Sequence, residues 1–287
     1  MAGLTIAVAS GKGGAGKTTV ATALAMTLGR GLAEVQFLDC DVEEPDAALF
    51  IKPEIEASTE ITIDAPEVDR AACDGCGKCQ EACEFNAIRV ESGKAAVYEG
   101  LCLGCGCCRL ACPQGAITEK KRRIGVVETG KREDIVFYRG LLDIGGGLTS
   151  AVIRRLKAMA RGDIPTILDC DPGTSSPVIA SLKGCDYCLL VTEPTPFGLS
   201  GIGLMLEVAR IMGVPCGIVV NKCQPWSPTV DDFASVWDVP ILMRIPFRRE
   251  IAYQCSRGVT LPEADAFWDD TFWKLFDDVG KMVWKGR

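Results

Sequence analysis

The 287-residue chain contains no histidine. That absence excludes every nucleophile paired with an imidazole, whether Ser-His-Asp or Cys-His. It equally excludes histidine-ligated zinc, histidine-anchored haem and Rieske centres. Any metal must be held by cysteine or carboxylate, and any proton moved by Asp, Glu, Lys or Tyr. Long apolar runs are missing too. The best candidates are interrupted by Glu207 and Arg210, so no membrane-spanning segment is expected. Nor is there an excess of positive charge: 31 Lys and Arg face 38 Asp and Glu, a net charge of −7. That balance argues against a nucleic-acid partner. The N-terminus runs directly into a glycine-rich motif and does not read as a cleaved signal. The expectation is a cytoplasmic protein.

Cysteine, by contrast, is abundant at 16 residues. In a reducing compartment dense cysteine points to metal or catalysis before disulfides. Two runs share the spacing C-x2-C-x2-C-x3-C: Cys73, Cys76, Cys79, Cys83, then Cys102, Cys105, Cys108, Cys112. Each member of the second run follows its counterpart by 29 residues, and Ala87-Ile88 returns as Ala116-Ile117. The segment is an internal duplication. Three closely spaced thiolates wrap three corners of a cubane, and the fourth, where the chain has turned away, reaches the neighbouring cluster. The spacing therefore predicts two [4Fe-4S] clusters. One is held by Cys73, Cys76, Cys79 and Cys112, the other by Cys102, Cys105, Cys108 and Cys83. Two zinc ions are the competing reading, although zinc sites usually pair two C-x2-C hooks per metal. Cys107 breaks the spacing and reads as a bystander. This stretch resembles a bacterial-type two-cluster ferredoxin. Pro113 after Cys112 fits that family, and Glu84 after Cys83 departs from it.

The second chemistry lies at the start. Residues 4–9 form a short apolar run, followed by Gly11-Lys12-Gly13-Gly14-Ala15-Gly16-Lys17-Thr18-Thr19 and then an Ala/Leu-rich stretch. Strand, G-x4-G-K-T, helix is the setting a phosphate-binding P-loop requires. Its glycines let backbone amides close round phosphates, and the helix N-terminus adds a partial positive charge. Lys17 is expected on the β/γ-phosphates and the Thr18 hydroxyl on Mg2+. Two later strands end in Asp39-Cys40-Asp41 and Asp169-Cys170-Asp171. Alternation along a strand puts each Asp pair on one face and each cysteine on the other, so Cys40 and Cys170 read as buried thiols.

The early Lys12 makes the motif resemble the deviant Walker A sequence of the MinD/ParA/Mrp ATPase superfamily. The resemblance implies an ATP/ADP- and Mg2+-binding ATPase that dimerises, as a homodimer or with a paralogous ATPase. It also implies that Lys12 reaches the partner's nucleotide, and that Asp39 and Asp169 lie near the metal. Asp41 is the candidate for positioning the attacking water, since placement and charge neutralisation dominate phosphoryl transfer. Asp171 has no assigned role. Asn221, with Lys222 beside it, is expected near adenine, with Pro246 and Phe247 flanking the base. MinD-type ATPases with an inserted ferredoxin form a subfamily that this chain resembles.

The predicted architecture is α/β: a mostly parallel, doubly wound P-loop domain over 1–60 and 121–287, with a small α+β ferredoxin-like domain inserted at 61–120. Val136–Leu142 is expected to bring the chain back to the main sheet, and Lys120-Lys121-Arg122-Arg123 reads as a solvated linker. Cys185 and Cys188 read as core thiols, and Cys223-Gln224-Pro225-Trp226 does not supply the C-P-x-C of cluster carriers. The last helical stretch balances its charges and should dock on the core; MinD instead ends in a basic membrane helix. The leading functional reading is an ATPase coupling its nucleotide cycle to electron transfer, or to metallocluster assembly in a partner. The resemblance to MinD-type ATPases with an inserted ferredoxin implies a redox or cluster-carrying partner of the nitrogenase-cofactor-carrier or orange-protein kind. The alternative is a MinD/ParA-like spatial organiser with a redox-sensing insert.

Overall fold

The computed structural model describes residues 3–145, 147–224 and 228–285. Pro225, Trp226 and Arg287 lie outside the described residues. In chain order the strands are β1 (Thr5–Ala9), β2 (Val35–Asp39), β3 (Glu54–Val68), β4 (Ile88–Glu91), β5 (Lys94–Val97), β6 (Ile117–Arg132) and β7 (Ile135–Leu142). They are followed by β8 (Thr166–Asp169), β9 (Tyr187–Thr192), β10 (Cys216–Cys223) and β11 (Ile241–Pro246). The chain divides into two compact units. One comprises residues 1–58, 128–140 and 153–287; the other comprises 59–127 and 141–152. The second unit thus takes in a stretch, 141–152, that lies beyond the expected 61–120.

One sheet has the strand order β11-β10-β9-β1-β8-β2-β7-β6-β3. β1 runs parallel to β8 and β9, β2 parallel to β8 and β7, and β10 parallel to β9 and β11. Every residue of β2, β8 and β9 is buried, as continuous apolar runs covered on both faces require. β7 joins the sheet beside β2, as expected for the returning segment.

In the larger unit the helix Lys17–Gly31 lies in the core, with Val20, Leu24 and Leu28 fully buried. The terminal helix Phe267–Lys285 adds Phe272, Leu275, Phe276 and Val279, all at 2% exposure or less. Each such side chain contributes roughly 1.5–3 kcal/mol by leaving water. This helix is therefore a core element, as its balanced charge suggested. Cys40, Cys170, Cys185 and Cys188 are buried as expected, and burial pushes the Cys185 thiol up to about 11.

Around the cysteines of the smaller unit, Ile88, Ala95 and Ile117 pack with Cys79 and Cys108. β4 and β5 form an antiparallel hairpin across Ser92-Gly93, both at positive φ, as a tight hairpin turn demands. The duplication is visible in the backbone. Asn86 and its counterpart Gly115 share positive φ, and the helices Lys78–Glu81 and Cys107–Ala111 occupy equivalent positions. Gly75 and Gly104 show why glycine recurs. Both have φ near +70°, and a Cβ on Gly75 would lie 2.3 Å from the Gly93 carbonyl oxygen.

Lys120–Arg123 is not a linker but part of β6. The reason is pairing of its cations: Lys120 with Glu99 at 3.0 Å, Lys121 with Asp64 at 2.7 Å, and Arg123 with Glu60 at 3.3 Å and Asp143 at 3.2 Å. Arg122 donates to the Cys102 carbonyl at 2.8 Å. Cross-strand partners let a basic run extend where isolated like charges would repel.

Candidate nucleotide site and cysteine cavities

In the larger unit, the C-terminal ends of parallel strands carry the chemistry, on either side of the point where strand order reverses about β1. A cleft of about 400 Å³ is lined by Gly13, Gly14, Gly16, Lys17, Thr18 and Thr19 from the loop after β1 and the helix it enters. Asp41, Asn221, Lys222, Pro246 and Phe247 also line it. Gly16 heads the helix in a left-handed conformation, with φ 95° and no side-chain cap. Its first amides are thereby left for an anion. Ala15 is buried and does not line the cleft.

Lys17 is the hub. Its Nζ lies 3.2 Å from Asp41 Oδ2 and 3.2 Å from Asp169 Oδ1. Burial works against its charge, but the neighbouring Asp169 and Asp41 carboxylates more than offset this and raise its pKa. Asp169 is fully buried, and burial pushes its carboxyl up to about 6 against the pull of Lys17 and of a hydrogen bond with Thr18. Its Oδ2 is buried without a hydrogen-bond partner. An orphaned carboxylate oxygen beside a threonine hydroxyl is what a Mg2+ ion or its water would satisfy, so these residues fit the metal.

Asp39, expected near the metal, is fully buried within reach of the Asp169 and Lys17 charges, and like Asp169 it does not line the cleft. Both its oxygens are engaged by its own loop. Oδ1 accepts from Asp41 N at 3.3 Å and Oδ2 from Ala47 N at 3.2 Å. Burial, then the Asp169 charge, raise its pKa well above the ordinary range. Asp39 thus braces the loop that carries Asp41. Asp171 is half-buried beside Asp41. Burial and that carboxylate push it up to about 6.

Asn221 is also a brace. Its Nδ2 donates to the Ala15 carbonyl at 2.9 Å, and its Oδ1 accepts from Lys222 N at 2.8 Å. A Cβ on Gly16 would lie 2.0 Å from that Nδ2, so glycine there is a packing requirement. The amide expected at adenine is committed to the P-loop because β10 ends directly against it. Lys222 donates to the Gly14 carbonyl at 3.0 Å.

Lys12 does not line the cleft within the single chain. Its Nζ pairs with Glu193 at 2.6 Å and lies 5.6 Å from the Phe197 ring centroid. Glu193 also binds Lys222. Burial works to raise the Glu193 carboxyl, but Lys12 and Lys222 hold it below its ordinary value. Gly11 packs on the helix Pro196–Met212, where a Cβ would lie 2.2 Å from the Gly201 carbonyl carbon. Sequence reasoning missed Glu193. The available signal was a carboxylate just past the end of a buried strand, in Thr192-Glu193-Pro194. It also missed Arg248, Ile251 and Cys255, which line the far wall of the cleft.

In the smaller unit, the cysteines surround two cavities. One is lined by Cys73, Cys76, Cys79 and Cys112. The other is lined by Cys83, Cys102, Cys105 and Cys108, and by Cys107. Backbone amides point at several sulfurs: Ala95 N to Cys73 at 3.4 Å, Ala87 N to Cys83 at 3.3 Å, and Gly104 N to Cys102 at 3.4 Å. The amides of Ala95 and Gly75 hold the Cys73 thiol below its usual pKa. Among the described residues no three Cys, Asp or Glu side chains converge on a point where one metal ion would sit. A four-iron cluster is a different ligand problem, because it spreads its four thiolates over separate iron corners. Amide-decorated thiols around two separate cavities fit that arrangement. Cys107, read as a bystander, shares the second cavity because it heads the helix that carries Cys108.

Residues 6–261 match the family described as the CobQ/CobB/MinD/ParA nucleotide binding domain. The chain belongs to that family. It is 33% identical over 219 residues to MJ0578, an uncharacterized protein of Methanocaldococcus jannaschii, covering 76% of this chain and 77% of that one. Among solved structures it resembles the Pyrococcus furiosus cell division ATPase MinD, with TM-score 0.59 and 18% identity, covering 98% and 99% of the two chains. The septum site-determining protein MinD of Pyrococcus horikoshii, solved with Mg-ADP, gives TM-score 0.57 at 19% identity, covering 98% and 97%. At these identities the likeness is one of fold: an α/β P-loop NTPase with a large, mostly parallel sheet. No helix among the described residues is long and apolar enough to cross a membrane.

Proposed function

We propose that the chain is a cytoplasmic, Mg2+-dependent ATPase whose nucleotide cycle is coupled to two [4Fe-4S] clusters. These would serve electron transfer to, or metallocluster assembly in, a partner protein. The observation that carries this reading is the pair of cavities, each lined by one of the two expected sets of four cysteines. The clusters, when bound, would supply one-electron chemistry at low potential. The chain's own residues do the rest. Lys17 and the P-loop amides bind phosphate, Thr18 and Asp169 offer oxygens to the metal, and Asp41 stands at the cleft to orient water. Lys12, held by Glu193, is the residue that dimerisation would redirect to a partner's nucleotide. A redox or cluster-carrying protein is the expected partner, and a homodimer or a paralogous heterodimer the expected assembly.

A second reading is favoured by the comparisons, because the solved neighbours are named as cell-division and septum-site proteins. On that reading the chain is a MinD/ParA-like spatial organiser whose clusters sense redox state. Against its membrane-bound form stands the terminal helix, whose apolar face is spent in the core.

Anaerobically purified protein should carry about eight irons per chain, as two four-iron clusters, and bind MgATP in calorimetry. ATP-dependent reduction or metal loading of a captured partner, lost in Lys17→Ala, supports coupling. Loading that survives Lys17→Ala overturns it. ATP-dependent pelleting with liposomes or DNA would put the second reading first.

A further inference from the structure

The two cysteine cavities come from one duplicated segment, yet they are not equivalent. Position 107 of the second repeat corresponds, 29 residues earlier, to Lys78. Both residues open a short helix, Lys78–Glu81 or Cys107–Ala111, and both are exposed. Lys78 does not line the first cavity, whereas Cys107 lines the second. The second cavity therefore holds five sulfurs where a cubane takes four. Cys105, two residues before Cys107, lines the same cavity. Cys105 and its counterpart Cys76 are exposed, while Cys79, Cys102 and Cys108 are buried. The extra thiol thus lies beside the one ligand of its tight run that faces solvent.

Resting on the reading of these cavities as cluster sites, we propose that Cys107 is an alternative ligand to the second cluster, able to replace Cys105 at its iron. The exchange moves one proton and no electrons. The Cys107 thiol gives its proton to the Cys105 sulfur as the iron–sulfur bond to Cys105 breaks and one to Cys107 forms. No oxidant or reductant is needed. The first cavity has no such device, because a lysine stands in the equivalent place and an ammonium cannot ligate iron. The second site would consequently be the one with an exchangeable ligand, and the first the one with a fixed ligand set.

The duplication provides the control. Full-length protein and its variants are reconstituted anaerobically with ferrous iron and sulfide. Iron per chain, the electron paramagnetic resonance of the reduced protein and iodoacetamide labelling are then measured. Wild type and Cys107→Ala should each carry about eight irons, as two four-iron clusters. Cys105→Ala should also keep about eight, with Cys107 now protected from iodoacetamide, whereas Cys76→Ala should fall to about four. The double variant Cys105→Ala with Cys107→Ala should fall to about four as well. Loss of the second cluster from Cys105→Ala to the same extent as from the double variant overturns the proposal and leaves the cluster reading standing. A wild-type protein that takes up no clusters overturns both. Should Cys105→Ala not fold, labelling of the wild-type holoprotein answers the same question. Either Cys105 or Cys107 should be alkylated in a given chain, never both. Labelling of Cys107 alone, with Cys105 fully protected, overturns the exchange.

Discussion

In the nucleotide cleft, the side chains that meet come from positions 17, 41, 169 and 221, the ends of separate strands and loops. In the smaller unit, all eight paired cysteines fall between positions 73 and 112. The cleft is assembled at the ends of the larger unit's parallel strands, whose core would exist without any ligand. Its charges are already matched in the free protein, with Lys17 lying between two carboxylates. The cysteines sit differently, in a small cluster where Ile88, Ala95 and Ile117 supply the apolar side chains and sulfurs make up much of the rest. On the proposed cluster reading, metal binding free energy is folding free energy in that unit: one site is prepared by the fold, and the other would help to make its fold.

Removing a buried cysteine should break this contrast most visibly. Cys79→Ala is expected to lose about four of eight irons and to raise amide exchange across Lys94–Val97 more than about 100-fold. MgATP binding should stay unchanged. Wild-type exchange in that strand would mean that the unit stands without its metal. Lys17→Ala tests the other side. It leaves the buried Asp169 and the partly buried Asp41 without their cation, so urea denaturation of the nucleotide-free protein should show a loss of about 3 kcal/mol. MgATP affinity should fall about 100-fold, and the iron content should not move.

Asp171 gives a smaller, pH-dependent effect. Its folded pKa is pushed up to about 6, above the unfolded value of about 3.9. A raised carboxyl stabilises the fold in its protonated form. Its contribution is complete below about pH 4 and is lost as pH rises through about 6. Asp171→Asn should therefore raise the melting temperature of the nucleotide-free protein at pH 7.5 by about 2 °C, and hardly at all at pH 4.5. An equal gain at both pH values would assign the effect to something other than repulsion by Asp41. The smallest change is expected at Arg123, whose partners Glu60 and Asp143 are exposed. Arg123→Ala should alter stability by no more than about 0.5 kcal/mol. A larger loss in denaturant titration would show that the long strand depends on its ion pairs.

Much of this was legible from residue order alone. Apolar runs at 4–9, 34–39 and 186–192 became central strands within a residue or two, because a strand buried on both faces must be continuously apolar. The grouping of the cysteines about two cavities was legible because it follows from local spacing. Lys120–Arg123 was misread because four successive cations say nothing of the acids that will lie across from them. That Asn221 and Asp39 also brace the P-loop and the loop of Asp41 was not legible, for a related reason. Each has amide or carbonyl partners supplied by its own loop or by a neighbouring one. Glu193 was missed because a lone carboxylate gains meaning only when Lys12 and Lys222 are brought to it.

The sequence by itself determined the P-loop and the cysteine repeat, since both are written in the spacing of consecutive residues. The tertiary structure alone decided which distant groups meet. It left Asp169 Oδ2 without a partner and tied Lys12 to Glu193. Backbone spacing along a chain places ligands on one turn or loop, but pairing between distant strands is settled only when the sheet closes and burial forces every polar atom to find a partner or go without.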